Sequence, residues 1–170
     1  MRDGGKGFAR GREENSVLLH RERRAPRKGI LMGKKSRTKG ATFEREICKV
    51  IYEELGVEVR RNLSQFQESG LGDIELEPFL IECKRYASGN WFQKSWWEQC
   101  KAAAAKGNLI PVLIWKYDRQ PIRVTVPMYM INSDWAVDSG QFSWPTEGNA
   151  MFPMSCELDV GMSLMREWLV

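Results

Sequence analysis

The stretch Gly72-Asp73-Ile74-Glu75-Leu76-Glu77-Pro78-Phe79-Leu80-Ile81-Glu82-Cys83-Lys84 decides the architecture. Glu77-Pro78 is a turn signal between two apolar runs. It predicts a short strand over residues 73–76 and a longer one over 79–86, folded back on each other. Side chains alternate along a strand, so Phe79, Ile81 and Cys83 point one way, and Leu80, Glu82, Lys84 and Tyr86 the other. Glu82 and Lys84 then stand side by side, and the tight link can bring Asp73 next to Glu82. A Glu-x-Lys pair on a strand is also a common solvent-facing ion-pair ladder. The apolar run of Phe79, Leu80 and Ile81 argues for burial instead, and a carboxylate and an ammonium after such a run need a reason to be there.

Two carboxylates in a partly dry site repel, and one would ordinarily take up a proton. A divalent cation removes that conflict, and hard oxygen donors favour magnesium, with manganese as a substitute. The Cys83 carbonyl can add a further oxygen. Lys84 would reach the attacking water or a scissile phosphate, where its cation offsets developing charge.

Upstream, Phe43, Ile47, Val50, Ile51 and Leu55 recur at helical spacing, predicting a helix over 41–55 that ends at Gly56. Glu44 flanks this apolar stripe and is expected to project over the sheet edge toward the metal; stabilisation of the helix start is the alternative role. Glu46 lies about 200° away around the helix, nearer solvent. Lys39 and Gly40 are expected just before the helix, where free N–H groups can meet a phosphate. Val57, Val59 and Asn62 predict a short strand, and residues 65–72 a polar loop. Arg60 and Arg61 are candidates for gripping DNA backbone or are solvated charges.

Downstream, Asn90 with Gln93 has a capping-box pattern for a second helix that runs through Ala102 to Ala105 and stops at Gly107. Residues 109–117 and 122–126 are predicted as strands joined across 118–121. Residues 128–156 have no clear period, and 162–170 are predicted as a terminal helix in which Trp168 and Leu169 seek cover. The order predicts one α/β domain with a mixed sheet. Trp91, Phe92, Trp96 and Trp97 form an aromatic stretch, read as core or dimer contact, with stacking on unpaired bases as the alternative.

Composition bounds the answer. The chain has 170 residues, 42% hydrophobic and 28% charged, which suits one globular domain. The cysteines at 48, 83, 100 and 156 include no close pair, and His20 is the only histidine, which argues against a zinc site. Free thiols and the lack of an apolar signal core or spanning run predict a cytoplasmic protein, of a prokaryotic cell or a phage-infected host. The net charge of +4 conceals an asymmetry. Residues 1–38 hold 12 Lys+Arg against 4 Asp+Glu, and the remainder is net acidic. That first segment is expected to be a flexible basic arm able to hold phosphate backbone. Met32-Gly33-Lys34-Lys35 also opens a compact protein, so the residues before it read as an extension.

Taken together, these pieces resemble the PD-(D/E)xK nuclease superfamily, and within it the archaeal-type Holliday junction resolvases and their phage relatives. The matching segments are Lys39-Gly40-Ala41-Thr42-Phe43-Glu44-Arg45-Glu46, Gly72-Asp73-Ile74, Ile81-Glu82-Cys83-Lys84, and Lys106-Gly107 leading into Pro111-Val112-Leu113-Ile114. They occur in family order over residues 39–126. Glycine stands before the aspartate where the family name has proline. The resemblance implies a restriction-endonuclease-like core over residues 39–127, with 128–170 as an extension packing on it. It implies that Glu44, Asp73, Glu82 and Lys84 bind magnesium and activate water, and that Arg60 and Arg61 lie near DNA. Gln99 resembles a polar residue that many members keep facing the site. It further implies a C2 homodimer cutting branched or four-way DNA. A nuclease for forks, flaps or duplex, and a DNA-binding protein without catalysis, are the competing readings.

Overall fold

The computed structural model describes residues 28–63, 72–132 and 151–169, with side chains described from Thr38 onward. Helix α1 spans Lys28–Leu55. Strands β1 (Ile74–Leu76) and β2 (Phe79–Tyr86) follow. Helix α2 (Lys94–Gly107) leads to strands β3 (Ile110–Tyr117) and β4 (Arg123–Pro127), then a 3-10 turn at Met128–Met130. Strand β5 (Pro153–Glu157) runs directly into helix α3 (Leu158–Glu167).

The five strands form one sheet in the order β1-β2-β3-β4-β5. The β2–β3 pair is parallel and the other three are antiparallel. A parallel neighbour requires a crossover, and α2 supplies it on one face of the sheet. Helices α1 and α3 cover the other face. This is the expected α/β, restriction-endonuclease-like architecture with a central mixed sheet.

The alternation along β2 explains both layers. Phe79, Ile81 and Cys83 join Phe43, Ile47 and Ile51 of α1 in the larger core, and the last three side chains are fully buried. Leu80 joins Trp96, Trp97, Cys100, Ala103 and Ala104 of α2, with Leu113, Trp115 and Tyr117 of β3. Each large apolar side chain buried in this way contributes roughly 1.5–3 kcal/mol. The polar Thr125 in this interior is satisfied: Trp115 Nε1 donates to its Oγ1 at 3.0 Å, and Ser155 Oγ lies 2.6 Å away. The four cysteines are free thiols, two buried and two half-buried. Among the described residues, no helix is long and apolar enough to cross a membrane.

Several expectations need correction. Helix α1 begins at Lys28, not at residue 41, so the last part of the expected arm is helical. Once the packed turns around Phe43 exist, each added residue gains a hydrogen bond without a new nucleus. Residues 1–27 lie outside the described residues. Val57 and Val59 pack against the core without forming a strand; among the described residues, the only pairing there is an isolated bridge between Arg61 and Ile74. The polar loop expected at 65–72 lies outside the described residues except for Gly72. Helix α2 starts after Gln93, not Asn90, and no side chain caps it. Its other end closes on Asn108, in the left-handed region at φ 53°, whose N–H and that of Leu109 point back to the last turn. Strand β5 had no signal in the sequence, and α3 begins four residues before the expected start. Glu77-Pro78 is a turn, with a cis peptide bond.

Candidate active site

The register of β1 and β2 pairs Ile74 with Ile81. One step further in an antiparallel pair sets Asp73 across from Glu82, with both side chains on the same face. Both are buried, at 7% and 3% exposure. The backbone N–H of Cys83 donates to Asp73 Oδ2 at 2.6 Å, which ties the carboxylate to the neighbouring strand. A carboxylate accepting a backbone N–H in this way is held in one orientation.

Lys84 sits two residues along β2 on the same face as Glu82, and its Nζ donates to Glu82 Oε1 at 2.6 Å. Gln99 reaches across from α2 and bridges the pair. Its Oε1 accepts from Lys84 Nζ and its Nε2 donates to Glu82 Oε1, each at 3.1 Å. Burial would lower the pKa of the Lys84 ammonium. The charge and hydrogen bond of Glu82, with the Asp73 charge behind them, outweigh it and hold Lys84 above the ordinary lysine value. A fixed cation therefore stands beside two buried carboxylates.

Cys83 turns its side chain to the opposite face. Burial first, then the charges of Asp73, Glu44 and Glu82, push its thiol well up. Its side chain packs in the core beneath α1, so the backbone is what Cys83 turns toward the carboxylate pair.

Glu44 lies in the α1 layer and is half-buried. Its Oε2 accepts from Arg61 Nε, so Arg61 is engaged in a half-buried ion pair rather than extended into solvent. The Arg61 backbone bridges to Ile74, and the next N–H, of Asn62, donates to the Asp73 carbonyl at 2.7 Å. Arg61 thus joins the Glu44 side chain to the strand that carries Asp73. Arg60, by contrast, has an 88% exposed side chain and, among the described residues, pairs only with Glu58, at 3.5 Å.

Lys39 and Gly40 are inside α1, not ahead of it, so their amides are not the free N–H groups expected to receive a phosphate. The Lys39 ammonium pairs with Asp118 in the β3–β4 turn, which also accepts from Arg85 Nε and Nη2 at 3.3 Å. The hydrogen bond from Lys39, with Arg85 adding to it, holds the Asp118 carboxyl below the ordinary range. Neither Asp118 nor Arg85 was singled out by sequence reasoning. They are far apart in the chain and meet only because β2 and β3 are parallel neighbours.

Whether this donor set suits a metal ion follows from its chemistry. Asp73 and Glu82 present hard carboxylate oxygens from two rigid strands, and hard oxygens match magnesium or manganese rather than soft metals. Among the described residues, no three Asp, Glu, His or Cys side chains form a metal-holding group. The strand pair therefore fits a cation that keeps several waters of its own, as magnesium does.

No curated protein and no solved structure matches the chain. A family model described as "Phage putative PDDEXK endonuclease" matches residues 35–147. The matched span holds the acid-bearing helix, both strands of the carboxylate pair, the lysine and the crossover helix with Gln99. With well over half of its length matched, the chain belongs to that phage family of PD-(D/E)xK endonucleases.

Proposed function

We propose that the protein is a magnesium-dependent DNA endonuclease hydrolysing phosphodiester bonds. The observation that carries this reading is the pairing of two buried carboxylates, Asp73 and Glu82, across β1 and β2 with the Lys84 ammonium on the same face. Asp73 and Glu82 would hold the cation, with the Cys83 backbone beside them. A bound magnesium ion supplies a water of lowered pKa and offsets charge on phosphoryl oxygens.

The chain's own groups do the rest. Cys83 N–H fixes the Asp73 carboxylate. Gln99 holds Glu82 and Lys84 in one geometry, so the lysine cation points at a defined place. An ammonium kept protonated there stabilises the phosphorane-like charge of the transition state and orients the attacking water. Glu44, steadied by Arg61, is the third acid and assists through water. Arg60 and Lys39 are the proposed phosphate-backbone contacts, with Arg61 next to them; such contacts add affinity without sequence preference.

As substrate we propose branched DNA, the four-way junction in particular, cut by a C2 homodimer whose symmetry gives one centre for each of two strands. The order and identity of the motifs over residues 39–126 support it. A cleavage panel of four-way junctions, forks, flaps and linear duplex, with and without magnesium, tests the reading. Junction cleavage that requires magnesium and is lost in Asp73→Asn is the expected result. Preference for linear duplex would defeat the junction assignment, and metal-independent cleavage would defeat the mechanism.

A further inference from the structure

A groove of about 810 Å³ lies on the flank of α2 turned away from Gln99. Its lining includes the rings of Trp91, Phe92, Trp97 and Phe152, with Lys94 and Lys101 from the helix. Trp91 is 54% exposed and Phe152 61%. Large aromatic rings left this open lose the benefit of burial, which calls for a role.

Trp91 is exposed yet held firmly. Its ring packs on Phe92 at 5.6 Å between centroids and edge-on against Trp115 at 5.8 Å. Its carbonyl accepts from the Tyr117 hydroxyl at 2.7 Å. Helix α2 is tied to the segment that carries Phe152 as well, because Trp97 Nε1 donates to the Met151 carbonyl at 3.3 Å. The result is an aromatic platform that needs little ordering on binding. The helix flank adds positive charge. Lys101 is shared with Glu98 at 2.9 Å, whereas Lys94 has no acidic partner among the described residues.

We infer that this groove is a second DNA-contact site that takes unpaired bases of a single strand, stacked on Trp91 and Phe152 with backbone phosphate beside Lys94 and Lys101. Aromatic faces accept any base, and the lysines match the phosphate charge. A flat apolar partner protein would not need the paired lysines. By helix geometry Gln99 lies about 200° around α2 from Trp97, so the groove and the Lys84 centre flank one helix about 10–12 Å across. A few nucleotides, at about 3.4 Å or more each, span that distance. The site would let the enzyme favour DNA with an unpaired segment close to the cut. Only the choice of DNA as the strand rests on the nuclease reading.

The test uses the full chain in EDTA, with labelled dT12 and a blunt duplex of equal length, read by fluorescence anisotropy. Trp91→Ala and Phe152→Ala should each weaken dT12 binding about tenfold, within the range for loss of a base-stacking aromatic, and leave duplex affinity unchanged. Trp91→Phe should restore most of the loss. Phe152 is largely exposed, so F152A carries the test even if W91A fails to fold. Unchanged dT12 affinity, an equal loss for duplex, or a dimer by light scattering that F152A dissolves without changing dT12 affinity would each overturn the inference. Because no cleavage is measured, an inactive protein that still binds dT12 through this groove separates a failed nuclease reading from a failed groove.

Discussion

Asp73 and Cys83 are joined by a hydrogen bond, 2.6 Å from the backbone N–H of Cys83 to Asp73 Oδ2, and that bond ties the proposed metal-binding carboxylate to the neighbouring strand. Its acceptor is an oxygen, so the amide oxygen of asparagine can replace it. Asp73→Asn should keep the fold within about 1 kcal/mol, the worth of an ordinary hydrogen bond. Magnesium-dependent cleavage should drop by about a hundredfold or more, the scale of losing one charge-stabilising group. Thermal unfolding beside a cleavage assay checks both halves, and an active D73N protein would remove Asp73 from the mechanism.

Lys84 and Gln99 should separate. Lys84→Ala leaves Glu82 buried without its cation, but Gln99 Nε2 still donates to it. The expected stability loss is about 1–2 kcal/mol, below the roughly 3–5 of a fully buried pair broken on one side, with cleavage abolished. Gln99→Ala removes the brace and leaves the Lys84–Glu82 contact. It should lower the cleavage rate about tenfold with little change in stability. A Q99A protein as inactive as K84A would make Gln99 more than a positioning residue.

The two neighbouring arginines should behave differently. Arg61→Ala strands the half-buried Glu44 carboxylate, with its side chain 14% exposed, and should cost about 1–3 kcal/mol. Arg60→Ala removes an exposed pair and should change stability by less than about 0.5 kcal/mol, while weakening DNA binding at low salt. Denaturant titration and binding at two salt concentrations separate them; equal destabilisation by both would contradict the Glu44–Arg61 pair.

Gly161 tests how α3 seats on the sheet. A Cβ there would fall 2.6 Å from Val124 Cβ, too near for a flexible end to give way. Gly161→Ala should therefore destabilise by about 1–3 kcal/mol despite improved helix propensity. A stabilised G161A protein would place α3 elsewhere.

Alkaline pH should weaken the fold. Burial pushes the thiols of Cys83 and Cys100 well above their ordinary 9.0, and burial alone pushes Tyr129 above 10.0. The unfolded chain then releases protons that the folded one retains, so the contribution is whole below the unfolded pKa and lost as pH climbs through the folded values. Melting temperature should be level up to about pH 8 and fall from about pH 9 upward. A melting temperature that rises across that interval would contradict the burial of these groups.

The sequence by itself determined what depends on neighbours a few residues apart. Period-two alternation along 79–86 and the turn at Glu77-Pro78 put Asp73, Glu82 and Lys84 on one face, and the spacing of Phe43, Ile47 and Ile51 set the buried side of α1. Both follow from backbone geometry that each segment carries within itself. Only the tertiary structure decided that Arg61 holds Glu44, that Lys39 meets Asp118 inside a longer helix, and that residues 153–157 complete the sheet. Those contacts join segments 17, 79 and about 30 residues apart, and an edge strand with little apolar alternation leaves no local trace. Their partners are chosen by which surfaces remain uncovered once the two cores have formed, a property of the packed chain rather than of any window within it.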